Sequence, residues 1–204
     1  MDYSKIATDA VIAKTVTNLN AHGMEAMVVP TKAAAKQAVL DLIPKGAEVM
    51  TMSSVTLHET GIAEAIDGAA EYVSVRNKLS AMNRETQSRE MQILGAAPAV
   101  TVGSVHAVTE EGVVYIASNT GSQLPAYVYG SDLVIWVVGA QKIVPDANEA
   151  MKRIYDYILP KESVRLNAQY HMTAGSYVSK LLTVFREIKP GRIKVIIVKE
   201  PLGF

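Results

Sequence analysis

The chain contains no cysteine. That excludes disulfides, a cysteine nucleophile and any iron–sulfur cluster held by its own thiolates. Net charge is missing too: 20 basic and 20 acidic side chains cancel, and no segment shows the basic excess of a nucleic-acid binder. Long apolar runs are absent. The longest, Leu133 to Val138 and Val195 to Val198, are far too short to span a bilayer. The opening MDYSKIATDA has neither the basic nor the apolar region of a secretory signal, so a soluble, cytoplasmic protein is expected. The four histidines, His22, His58, His106 and His171, form no i, i+4 pair, which leaves a helix-borne zinc site unsupported. No GxGxxG fingerprint follows a strand, so a Rossmann nicotinamide site is not expected, and no cofactor is assigned.

What is present is an ordinary globular balance, 49% hydrophobic and 20% charged, over 204 residues. Length favours one domain spanning 1–204, and no linker, repeat or low-complexity stretch divides it. Ile12, Val16 and Leu19 recur at helical spacing within 4–21, and Gly23 stops that helix. A strand over 24–29 follows, then a helix from a Thr31 cap through Ile43, a strand over 47–52, a helix over 57–66 and a strand over 71–75. This alternation is the signature of a parallel sheet covered on both faces, a three-layer α/β fold. The polar segment 76–94 is partly helical and leads to a strand over 99–102. Apolar stretches either side of Thr109–Gly112 predict a hairpin, and Leu133 to Val138 predicts a central strand. Ala147, Ala150, Met151, Ile154 and Ile158 predict a helix over 147–158. Tyr177, Leu181, Val184, Phe185 and Ile188 predict a second, longer helix, and Ile193 to Val198 a last buried strand.

Three blocks then carry a resemblance. GAEVMTMSSVTLHETGI, VTEEGVVYIASNTGSQLPAYVYGSDLVIWVVGAQKIVPDANEAMKRI and the C-terminal IKVIIVKEPLGF resemble, in this order, the LUD (lactate-utilisation) domain proteins. The resemblance implies a fold similar to ribose-5-phosphate isomerase and CoA transferases. It also implies a role in L-lactate oxidation beside two iron–sulfur partner proteins, and the missing cysteines agree with the cluster-free member of such a set. The family's shorter relatives often show an acid–Thr–Gly turn where this chain has Glu110–Glu111–Gly112.

The residues themselves single out the turn after strand 47–52. Ser53, Ser54 and Thr56 offer hydroxyls at the carboxyl end of a strand, where open α/β sheets place ligands, and Glu59 and His58 stand beside them. Thr-x-x-Glu before a helix is also a capping box, which needs no ligand. Both readings of Glu59 stay open: cap, or acid, base or nucleophile. Asn119, Gly121 and Ser122 belong to a polar loop that either lines the same cleft or is merely solvated. Glu111 beside Glu110 is a second candidate carboxylate or a solvated turn. Lys142, expected as an exposed residue beyond the central strand, is a point charge for an anion. Arg76, Lys78, Arg84 and Arg89 read as an anion or partner patch, or as a solvated helix face. Tyr127, Tyr129, Tyr155 and Tyr157 read as core or interface residues, which leaves a homo-oligomer open.

The implied function is binding of a small anionic metabolite. The alternatives are an isomerase, CoA transferase or cyclo-ligase acting through Glu59 or Glu111 with Lys142, and a metabolite sensor without turnover. The purified chain is expected to retain neither zinc nor iron after exhaustive dialysis. Elemental analysis showing stoichiometric metal would overturn that expectation.

Overall fold

A computed structural model describes residues 1–170 and 175–204; His171 lies outside them. Helix α1 (Asp9–Ala21) starts later than its apolar stripe suggests, because the Thr8 hydroxyl caps it by accepting from the Val11 N–H. Strand β1 (Glu25–Val29) leads to α2 (Lys32–Leu42), capped by Thr31 through the Ala34 N–H. Strand β2 (Glu48–Thr51) follows. The helix expected over 57–66 is two short ones, α3 (Val55–Glu59) and α4 (Ile62–Asp67). They part at Gly61, whose φ of 65° lies in the left-handed region that a side chain disfavours. Next come β3 (Val73–Ser74), α5 (Val75–Ala81), α6 (Ser88–Ala96) and β4 (Val100–Gly103).

The expected hairpin forms from β5 (Ala107–Thr109) and β6 (Val114–Ser118). A π-helical turn (Ala126–Gly130) precedes β7 (Leu133–Gly139), and a 3₁₀ turn (Ala140–Lys142) joins it to β8 (Ile143–Val144). Helix α7 (Ala147–Lys152) runs through a π-helical turn (Arg153–Ile158) into α8 (Leu159–Tyr170). Strands β9 (Lys180–Val184) and β10 (Ile193–Val198) complete the described elements.

Strand β9 corrects one expectation. The spacing of Tyr177, Leu181, Val184, Phe185 and Ile188 fits a helix, yet residues 180–184 pair antiparallel with β6. Their working period is two: Leu182 and Val184 pack inward, whereas Leu181 and Phe185 are exposed. The open edge of β6 offers a full ladder of backbone bonds, and that outweighs the local periodicity.

Six strands form a wholly parallel sheet in the order β1-β10-β7-β4-β2-β3. Strand β7 is central, and Val134 through Val138 are without solvent exposure. Helices α2, α3 and α4 cover one face, with Val39, Leu57, Ile62 and Ile66 packed on Ile135, Val137 and Ile196. The other face carries α1, α5, α6 and a four-stranded sheet, β8-β5-β6-β9. Ala150, Ile154 and Ile158, from α7 and the π-helical turn behind it, cover that smaller sheet.

The chain leaves β2 toward the α3–α4 face but leaves β4 toward the opposite face. Two neighbouring parallel strands with exits on opposite sides open a crevice at their carboxyl ends, the topological switch point of an open α/β sheet.

At the opposite, amino edge, Arg192 is buried and every donor group is engaged. Its Nη1 bonds Glu187 at 2.7 Å, its Nε bonds the Ser131 carbonyl, and its Nη2 bonds the carbonyls of Tyr127 and Ala126. Burial pushes the Glu187 carboxyl up, but the Lys189 N–H, the Arg192 guanidinium and the Ile188 N–H together hold it below the usual range. Glu187→Gln leaves a buried guanidinium without its counter-ion and is expected to cost roughly 3 kcal/mol in urea unfolding at neutral pH. A carboxyl with a lowered folded pKa stabilises above its unfolded value of 4.5 and loses that contribution as pH falls through the folded one. The gap between wild type and variant should therefore close on acidification below 4.5.

Candidate functional site

The crevice is organised by Lys142, which is 2% exposed rather than the surface residue its position after β7 suggests. Its ammonium donates to Thr56 Oγ1 at 3.0 Å, Ser104 Oγ at 3.1 Å and the Val105 carbonyl at 3.2 Å. Both hydroxyls spend their own protons elsewhere, Thr56 on the Leu202 carbonyl and Ser104 on the Val137 carbonyl. Each can therefore only accept from the lysine, and three acceptors match the three N–H bonds of the charged form. Burial and the nearby Arg153 cation nonetheless lower its pKa to about 7, against a smaller upward pull from Glu59.

Arg153 starts the π-helical turn after α7 and has no solvent exposure. Its Nη1 donates to the His106 carbonyl, one residue beyond the Ser104–Val105 pair that Lys142 holds. The Tyr157 and Tyr3 rings lie 5.4 and 5.9 Å from the guanidinium carbon. Burial lowers its pKa to about 10. His106 accepts at Nδ1 from the Ala117 N–H, which puts its proton on Nε2. Burial, Lys142 and Arg153 together lower its pKa to about 3, so it is neutral. Among the described residues neither Lys142 nor Arg153 forms an ion pair with a carboxylate.

The capping box does not form. Ser54 precedes the first residue of α3 without a side-chain cap bond, and Thr56 turns inward to Lys142 and Leu202. Glu59 instead accepts from the Gly203 N–H at 2.7 Å. The segment Leu202–Gly203 thereby lies across the crevice, held also by Gln141 Nε2 on the Leu202 carbonyl. Gly203 has a φ of 61°, and a Cβ there would stand 2.5 Å from Thr56 Oγ1 and 3.5 Å from Lys142 Nζ. Helix α3 is a single turn, so its dipole contributes little and the local positive field belongs to Lys142.

Among the sequence candidates, the fold brings Thr56, Glu59 and Lys142 together, with Ser53 and Ser54 on the turn just before them. Asn119, Gly121 and Ser122 stand apart in bonding. Their loop is tied to Ser118 and Ser179, and no described hydrogen bond joins it to the crevice. Glu111 sits in the hairpin turn against α1, where Glu110 pairs with Lys14 and Gly112 abuts Asn18 and Leu19. The His22 ring meets the Gly112 carbonyl, which ties that turn to the end of α1, and no described hydrogen bond joins Glu111 to Glu59. His58 pairs with Glu64 in solvent. Arg76 reaches the Thr51 carbonyl at the end of β2.

Sequence reading passed over Ser104, Gln141, His106 and Arg153. One signal was available for Arg153: it lies three residues after Ala150 and beside Ile154, inside the stripe that predicts a buried face.

The model of the LUD domain matches residues 12–198. A crystal structure of a DUF162 family protein from Deinococcus radiodurans superposes with a TM-score of 0.59 at 12% identity, covering 95% of this chain and 99% of that one. No curated protein matches the sequence. The superposition supports the fold, and no helix among the described residues is long and apolar enough to cross a membrane.

Lys142 also makes a pH prediction. The folded chain releases this proton near 7, while the unfolded chain holds it to about 10.5. Unfolding takes up a proton in between, so this residue's contribution to stability rises with pH across that interval. Comparing urea unfolding of wild type and Lys142→Met over that range should show wild type gaining on the variant as pH increases. A pH-independent difference would mean that Lys142 keeps an ordinary pKa.

Proposed function

The chain belongs to the LUD domain family, and from that premise we propose that it is a single-domain lactate-utilisation protein that holds a small anion at its carboxyl-edge crevice. In this reading it is the cluster-free subunit or accessory of an iron–sulfur L-lactate-oxidising system in the cytoplasm. Electron transfer then falls to partner proteins that carry the clusters, since this chain has no cysteine to ligate one.

One observation carries the binding reading. Lys142 and Arg153 are both buried, the Arg153 cation is close enough to lower the Lys142 pKa, and their described hydrogen-bond partners are all neutral oxygens. Two buried cations without a counter-ion are costly in a low-dielectric interior, and a bound anion removes much of that cost. Ser53 and Ser54 offer hydroxyls on the turn just before Thr56, whose own hydroxyl is engaged with Leu202 and Lys142, and Leu202–Gly203 lies across the crevice. Asn119, Gly121 and Ser122 would join the ligand only if their loop leaned over the crevice.

An enzymatic reading has one observation in its favour: Glu59 stands at the crevice, opposite Lys142, where a carboxylate could take or deliver a proton. In the structure that carboxylate is engaged with the Gly203 N–H, which suits a latch on the covering segment.

Titration calorimetry with lactate and pyruvate below pH 7 tests the proposal. Wild type should bind, and Lys142→Met should bind at least about tenfold more weakly, because the positive charge beside the anion is removed. Affinity should also fall as pH rises through about 7, where the lysine loses its charge. Glu59→Gln should leave affinity nearly intact if Glu59 is a latch. Absence of binding by wild type, or unchanged binding by Lys142→Met, would refute the anion site. Turnover by the isolated chain that vanishes in Glu59→Gln would establish the enzymatic reading instead.

A further inference from the structure

The described residues include two fully or nearly buried arginines with opposite hydrogen-bonding states. Arg192 is 6% exposed and engages Nε, Nη1 and Nη2, including an ion pair with Glu187. Arg153 has no exposure and engages Nη1 alone. Its Nε and Nη2 are both buried and without any acceptor.

Those two groups are not an arbitrary pair. In a guanidinium, Nε–H and the Nη2–H beside it lie in one plane along one edge and point the same way. Their spacing matches the two oxygens of a carboxylate. The occupied Nη1 fixes the orientation of that edge through the His106 carbonyl, and the Tyr3 and Tyr157 rings crowd the guanidinium at 5.9 and 5.4 Å. Natural interiors leave few charged donors unmet, and each such case calls for an explanation.

We infer that the Nε–Nη2 edge of Arg153 is the carboxylate-recognition element of this protein, taking a small monocarboxylate in a bidentate pair. The inference rests on the anion-binding reading above and adds to it the residue that selects the ligand class. A flat carboxylate meets the open edge with both oxygens. A phosphate would bring further oxygens that need donors, and the hydroxyl of the neighbouring Tyr3 is committed to Glu149 at 2.6 Å. Ser104, Val105 and His106 connect this edge to the crevice, because Lys142 holds the first two and Arg153 holds the third. The ligand's carboxylate would then lie on Arg153, and its remaining atoms would extend toward the Lys142 charge.

Thermal melts of the full chain test this, with pyruvate, lactate and acetate as carboxylate probes and with lactamide and inorganic phosphate as controls. Wild type should be stabilised saturably by the three carboxylates, not by lactamide, and less by phosphate. Arg153→Lys keeps the charge but loses the edge, so its half-saturating concentration should rise at least about tenfold. Arg153→Met should show no response, while its melting point without ligand stays near or above that of wild type. Should Arg153→Met fail to fold, the Arg153 Nε–H resonance of the wild-type protein gives a second readout: it should move downfield as carboxylate is added.

The outcomes separate cleanly. A carboxylate response that Arg153→Lys retains but Lys142→Met loses overturns the role of the Arg153 edge and leaves the anion reading standing. An equal response to phosphate overturns the ligand class. An unshifted Nε–H resonance at saturating carboxylate overturns the contact. No response of wild type to any anion overturns both readings together.

Discussion

A parallel sheet buried on both faces can place polar chemistry only at its two edges, and everything functional in this chain follows from that constraint. The faces of β7 and β10 are sealed by aliphatic clusters, so no ligand or ion can enter there without disrupting the core. Charge is therefore confined to strand ends. At the amino edge Arg192 and Glu187 neutralise each other and bind the segment before β10 to the π-helical turn. At the carboxyl edge Lys142 and Arg153 have no such partner among the described residues. The same sheet thus has one edge closed electrically and one left positive.

The ladder of strands was largely legible from composition and period. Leu133–Val138 is apolar at every position and Ile193–Val198 at every position but Lys194, as strands buried on both faces tend to be, and both lie at the centre of the sheet. The β5–β6 hairpin was legible from Thr109–Gly112 for the same local reason. Residues 177–188 were not. Their apolar spacing satisfies a helix, and only the presence of an unpaired β6 edge, far earlier in the chain, decides for a strand.

The candidate site divides along the same line. Thr56 and Lys142 could be placed from sequence because each follows a strand that the pattern predicts, and parallel strands deliver their ends to one edge. The burial of Lys142 could not be placed, since Thr56, the Ser104–Val105 pair and the Leu202 segment around it come from three separate parts of the chain. Arg153 illustrates a general difficulty. A basic residue within an apolar stripe reads as an interruption of the pattern, whereas in three dimensions it is the one charge the helix delivers to the interior.

The Thr56–Leu202 contact spans 146 residues, and that separation has a bearing on synthesis. Strands β2, β3, β4 and β7 can pair while the rest of the chain is still being made, whereas β1 must wait for β10, and the crevice cannot close before residues 202 and 203 have emerged. During translation Thr56 and Lys142 can therefore meet without their cover, and the last contacts to form are those that seal the charged edge. A nascent chain passes through a stage in which β2, β3, β4 and β7 are paired and the Thr56–Lys142 contact still stands open to whatever small ions the surroundings provide.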